Sequence, residues 1–326
     1  MSVLPAGCTL RHPLADDMPA AQAVLDAAES ADAGEPRRHD VRLVEQVRDP
    51  TFDLDHNVWV VDGPDATLVA VAWVWPQIAS GEVTADLYVR PEARGRGVEA
   101  ALLETIEGRA AELAAAGSAA RPASAADAQP ARLIVWNQVD DRVRRRLLDE
   151  RGFTPTRQYF EMRIDLTAPY EAPPAPAGFA LRAIRLPDDE RAVWRADREA
   201  FAEHHLFAER DFEVWRLHHV ESDAFDADSS LLAWEGDELA GFELAFVEGD
   251  EVAIGDLAVR KPWRGRGLGL ALLRAAFAAL VARGHRVVRL TVDAQNVTGA
   301  LRVYERAGMR VERRFDCLEK PLEDRS

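Results

Sequence analysis

The sequence predicts two mixed α/β domains in tandem, and three observations carry that expectation. The chain has 326 residues, about twice what one ordinary domain needs. Two long segments repeat one another: Leu87 to Gly97 (LYVRPEARGRG) matches Leu257 to Gly267 (LAVRKPWRGRG) at an offset of 170, and Glu150-Arg151-Gly152-Phe153 matches Arg306-Ala307-Gly308-Met309 at an offset of 156. The 14-residue difference falls across 114–131, an Ala/Ser/Pro-rich stretch that reads as an insertion. Finally, residues 168–178 hold four prolines and no periodicity, the composition of an extended linker. The expected division is therefore 1–168, a linker over 169–178, and 179–326.

The second half reads element by element. Residues 179–186 alternate as a strand, 188–201 form a helix opening at Asp188, and 209–220 form a second helix. Strands over 230–234 and 239–248 flank the turn Glu235-Gly236-Asp237. Residues 251–259 are a strand stopped by Lys261-Pro262, since proline has no N–H for a ladder. Apolar residues at helical spacing run from 267 to 283 and end at Gly284. Residues 287–292 are a β-branched strand, 298–307 a short helix closed by Gly308, and 311–318 the last strand.

Composition removes several function classes. Hydrophobic residues at 48% and charged residues at 29% exclude gross disorder. The longest uncharged stretch, 66–81, is too short for a bilayer and is broken by Pro76. The N-terminus lacks a basic segment followed by an apolar core, and Cys8 and Cys317 stand far apart, so a cytoplasmic chain with free thiols is expected. A net charge of −16, from 56 acids against 40 bases, argues against nucleic acid. It suits a cationic small molecule such as an amine, or simply solubility. The pairs His204-His205 and His218-His219 point their neighbouring rings about 100° apart on a helix, which suits packing or solvation better than chelation. No metal is expected.

Chemistry concentrates between Leu257 and Gly269. Arg264, Gly265, Arg266, Gly267 and Gly269 place bare backbone where a helix begins, and its free N–H groups and positive dipole end make an anion site. The arginines add charge-assisted bonds to phosphate oxygens. A packed strand-to-helix turn is the alternative. A Rossmann site does not fit, because the turn follows the fourth strand of its domain and not the first. Asn296, eight residues before Tyr304, can cap the helix that carries the tyrosine or bind a ligand. Tyr304 can be an acid or a core residue.

Together these residues resemble the GNAT acetyltransferase superfamily. Arg264-x-x-Gly267-x-Gly269, preceded by Leu257-Ala258-Val259, fits its pyrophosphate signature, and Asn296-x3-Ala300-x3-Tyr304-x3-Gly308-Met309 fits its second. The resemblance covers 179–318 and implies two tandem folds, each a mixed, mostly antiparallel sheet flanked by helices. It implies acetyl-CoA as cosubstrate, held by the strand backbone at Leu257, Ala258 and Val259, by Arg264, Gly265, Arg266, Gly267, Leu268 and Gly269, and by Asn296. Tyr304 then protonates the departing thiolate. His204 and His205 lie where the family binds its acceptor.

The first half departs from that pattern. Glu99 stands in place of the last glycine, Leu148 in place of the tyrosine and Asp140 in place of the asparagine, so this copy is expected to be non-catalytic. An intact copy beside a degenerate one resembles the mycothiol synthase group of actinobacterial acetyltransferases. The position where the family often carries its acidic base is Ala253 here, leaving Glu251, Asp256 and Asp293 as candidates. The expected activity is direct acetyl transfer to a primary amine of a small molecule, by a monomer or homodimer without nucleic-acid or membrane partners. A CoA-binding module without turnover is the rival, and for the first half alone it is the preferred reading. Acceptors in view are a thiol–sugar conjugate, an aminosugar antibiotic, a polyamine and an amino acid.

Overall fold

One strand order, used twice, accounts for the structure, a computed structural model that describes residues 4–33, 43–49, 52–77, 82–120, 131–167, 170–202, 204, 207, 209–296 and 299–322. The chain divides into two compact units, Met1–Gln158 with Phe315–Ser326, and Tyr159–Arg314.

The first half of the chain supplies β1 (Thr9–Arg11), α1 (Met18–Ala33), α2 (Leu43–Gln46), β2 (Val58–Asp62), β3 (Leu68–Gln77), β4 (Glu82–Val89), α3 (Val98–Ala120), β5 (Arg132–Gln138), α4 (Arg142–Glu150) and β6 (Thr154–Asp165). Strands β1 to β4 are antiparallel neighbours and β5 joins β4 in parallel. The second half supplies β7 (Ala180–Ala183), α5 (Glu190–Phe201), α6 (Phe212–His218), β8 (Leu231–Glu235), β9 (Glu238–Glu248), β10 (Glu251–Val259), α7 (Leu268–Ala282), β11 (Val287–Asp293), α8 (Ala300–Ala307) and β12 (Arg310–Pro321). Here β7 to β10 are antiparallel and β11 joins β10 in parallel. These elements reproduce the order expected from hydrophobic periodicity, with ends shifted by up to about three residues.

The repeats exchange their last strands. Residues 315–321 of β12 pair antiparallel with β5 in the first unit, whereas residues 159–165 of β6 pair antiparallel with β11 in the second. The division therefore falls inside β6 and not in the proline-rich stretch. Tyr170 of that stretch packs edge-on against Phe277 of α7, 5.8 Å between ring centres, within the second unit.

Two apolar layers hold the second sheet. On one face Leu268, Leu272, Leu273, Ala276, Phe277 and Leu280 of α7, spaced as one helical stripe, cover Val252, Ile254, Val288 and Leu290. On the other, Val193, Ala196 and Ala200 of α5 and Trp215 of α6 cover Leu232, Phe242, Leu244 and Ala258. Among the described residues no helix is long and apolar enough to cross a membrane.

Glu243 interrupts this apolar pattern. It is fully buried on β9, with Oε2 accepting from the Leu231 N–H at 3.3 Å and Oε1 without a hydrogen-bond partner. Burial pushes its carboxyl well above the usual range, and the charges of Asp226 and Asp256 push the same way. Such a group costs nothing below the unfolded-chain pKa, where both states are neutral; the cost grows as pH rises towards the folded value. Glu243→Gln is therefore expected to leave the melting temperature unchanged near pH 4 and to raise it at pH 7.5. Thermal melts at both values test this, and equal melting temperatures at pH 7.5 would refute it.

Candidate active site

Strand β10 is where the local structure becomes unusual. Its ladder with β9 shifts register between Ile254 and Asp256, a bulge centred on Gly255. A Cβ at Gly255 would stand 2.5 Å from the Phe246 ring, so only glycine allows that approach. On its other side, β10 pairs with β11 for only three residues, Glu251 to Ala253. From Ile254 to Val259 the strand is laddered on the β9 side alone. Peptide groups on the opening side are thus available to an extended ligand, which can add to the sheet as a strand.

This edge leads into the glycine turn. Gly265 and Gly267 take φ of 76° and 80°, left-handed values that favour glycine. Gly267 is the N-cap of α7 and no side chain caps that helix, so its first N–H groups are available to an anion. Arg264 donates through Nε to the Val259 carbonyl at 2.9 Å, and its remaining guanidinium N–H groups have no partner among the described residues. Arg266 differs from the sequence expectation: it pairs with Glu235 at 2.7 Å and lies over Phe179. Leu268 and Ala258 are buried and offer backbone only, while Gly269 sits against Val259.

Tyr304 of α8 is buried. Burial and the nearby charge of Asp256 push its phenol up to about 12, so it keeps its proton at neutral pH. Asn296 does not cap that helix; the cap residue is Gly299, in a left-handed conformation without a side-chain cap bond. Asp293 accepts from the Gln295 N–H at 2.8 Å. Glu251 lies at the closed end of β10, where Arg289 approaches it at 3.2 Å, and Arg289 also binds Glu312 at 2.8 Å. That places Glu251 in an ion-pair network, whereas Asp256 stands just past the bulge.

His219 emerges only from the structure. Its Nε2 lies 3.1 Å from Asp256 Oδ2, its Nδ1 lies 2.7 Å from the Trp215 carbonyl, and the ring stacks on Trp215 at 4.7 Å. Burial alone would lower its pKa, but the bond and charge of Asp256, helped by Asp197 and the carbonyl, raise it. Asp197 of α5 is pushed up to about 7, first by burial and then by Asp256. His204 stacks edge-on with Phe201; His205 lies outside the described residues.

The first unit fills its own equivalents. Glu99 Oε1 accepts the Gly95 N–H at 2.9 Å. The Arg94 guanidinium is held by Asp32 and by the Ala28 carbonyl. Arg144 donates to the Leu87 carbonyl at 3.2 Å, on the strand edge corresponding to β10, and Leu148 is wholly buried in the core.

The Acetyltransferase (GNAT) family profile matches residues 190–309. The chain is 32% identical to a mycothiol acetyltransferase of Geodermatophilus obscurus over 88% of each protein. It is 31% identical to one of Thermobispora bispora, covering 90% of this chain and 92% of that protein. A GCN5-related N-acetyltransferase from Sphaerobacter thermophilus superposes with a TM-score of 0.75 at 31% identity over 98% of both chains. A tandem GNAT protein from the clavulanic acid biosynthesis pathway shares the fold, with a TM-score of 0.68 at 18% identity over 97% and 99%.

Proposed function

We propose that this chain, which belongs to the acetyltransferase (GNAT) family, moves an acetyl group directly from acetyl-CoA to the primary amine of a small molecule, using its second unit. The reading is carried by the one-sided edge of β10 running into the uncapped start of α7. Those groups fit the cosubstrate: the edge suits an extended amide chain, and the turn with Arg264 suits a pyrophosphate. When bound, acetyl-CoA supplies a thioester-activated acetyl group. The chain's residues do the rest. Available amides of the β10 edge polarise the acyl oxygen, and Tyr304 donates its proton to the departing sulfur. The catalytic residues proposed from the site are Tyr304 and Asp256; Glu251 is assigned to the ion-pair network.

The first unit is proposed to be non-catalytic and not a CoA sensor, because Glu99, Asp32 and Arg144 occupy the groups such a ligand needs. The test is release of CoA across an amine panel, beginning with the acceptor of the mycothiol acetyltransferases and continuing through aminosugars, polyamines and amino acids. Arg264→Ala is expected to weaken acetyl-CoA binding roughly 10-fold or more, the loss of a charge-assisted phosphate bond. Arg94→Ala is expected to leave it unchanged. Equal losses in calorimetry would mean the working copy has been misassigned.

A further inference from the structure

The trio Asp197, His219 and Asp256 comes from three elements: α5, the end of α6 and the bulged strand β10. Its protonation state follows from its hydrogen bonds. The Trp215 carbonyl can only accept, so His219 Nδ1 carries a hydrogen. Nε2 and Asp256 Oδ2, 3.1 Å apart, attract one another only with a proton between them, and the hydrogen bond and charge of Asp256 favour that proton on the ring, which gives an imidazolium facing a carboxylate. Two carboxylates and one imidazolium leave one excess negative charge in a buried place. Arg210 faces Asp197 from a half-exposed position before α6, where solvent weakens it. Glu243 faces Asp256 from β9 and is held neutral by burial. Asp197 has no hydrogen-bond partner among the described residues. Without a ligand, the excess charge is relieved by a proton on Asp197, which agrees with its raised pKa. A cation can take that proton's place.

We propose that this trio is the acceptor site: the primary ammonium of the substrate docks between Asp197 and Asp256, Asp197 takes its proton, and His219 is the positioning residue that holds Asp256. The proposal rests on the acetyltransferase reading above and adds to it both the base and the charge of the acceptor. The N–H bond breaks with its electron pair left on nitrogen, and the proton goes to a carboxylate oxygen of Asp197. That pair forms the amide bond to the acyl carbon as the C–S bond breaks, and Tyr304 gives its proton to sulfur. The second nitrogen proton, lost as the amide forms, restores the phenol. Asp197 then returns its proton to solvent. A neutral or anionic acceptor would leave the excess charge unanswered and is disfavoured.

The experiment is the pH dependence of kcat/KM for the fastest amine of the panel, measured on wild type, Asp197→Asn, Asp197→Glu and His219→Gln, with acetyl-CoA calorimetry on each. Wild type should gain activity as pH rises through about 7. Asp197→Asn should lose about 10²-fold in kcat/KM together with that acid limb, while still binding acetyl-CoA. Asp197→Glu should recover the limb and part of the rate, a rescue that a packing role would not give. His219→Gln should displace the limb. An active wild type whose Asp197→Asn variant keeps both rate and limb overturns the proposal alone. A wild type that binds no acetyl-CoA and acetylates no amine overturns the parent reading and this one with it.

Discussion

Tyr304→Phe is expected to lower kcat about 10²-fold, the lower end of what a positioned general acid contributes, with acetyl-CoA affinity unchanged. The ring is buried among the residues that join α7 and α8 to the sheet, and phenylalanine keeps that packing, so only the hydroxyl is lost. The hydroxyl is a competent donor because burial and the charge of Asp256 hold its pKa near 12; across the neutral range nearly every molecule carries the proton it must give. On the alkaline side, activity of the wild type should therefore fall only at strongly alkaline pH, and the Phe variant should lose that limb. Turnover against pH for both proteins, with calorimetry for binding, decides it. If the Phe variant kept wild-type turnover and profile, Tyr304 would be a packing residue and sulfur would take its proton from water.

Gly267→Asp is expected to weaken acetyl-CoA binding about 10⁴-fold. Gly267 has a φ of 80°, which costs an ordinary residue roughly 1–2 kcal/mol. The new carboxylate would stand at the start of α7, where the phosphates are proposed to lie. Two unit charges about 4 Å apart near a protein surface repel by about 4 kcal/mol, and every 1.4 kcal/mol is tenfold in affinity. The two contributions separate experimentally. A Cβ at this position meets nothing within 4 Å, so Gly267→Ala carries the backbone strain without the charge and should lose far less. Raising the salt concentration should recover part of the Asp loss and none of the Ala loss. If Asp and Ala weakened binding equally, the anion would have to sit elsewhere.

The exchanged strands matter for how such variants are read. Residues 315–321 complete the first unit's sheet, and residues 159–165 complete the second. Cutting the chain at its proline-rich stretch would thus remove from the second half the strand that pairs with β11. Turnover measurements belong on the full chain.

What the sequence determined by itself is everything that depends on near neighbours. Alternation and helical spacing set the element order, because they report which face each residue buries against a sheet or helix. The glycines at 265, 267 and 269 announced bare backbone at the start of a helix, since a glycine carries no Cβ. Glu99 and Leu148 marked the first copy as altered, because each is a single residue read against its twin. Tertiary structure decided the rest. Asp197, His219 and Asp256 are separated by 22 and 37 residues, and a histidine or an aspartate on an amphipathic helix looks the same whether it meets solvent or a buried carboxylate. The partners of Arg266 and Glu251 were hidden for the same reason. So was the exchange of β6 and β12, whose sheet neighbours lie more than a hundred residues away in the chain. Local propensity is encoded within a few residues, whereas a buried charge finds its partner, and a strand its neighbour, only once the whole fold has set the distances between them.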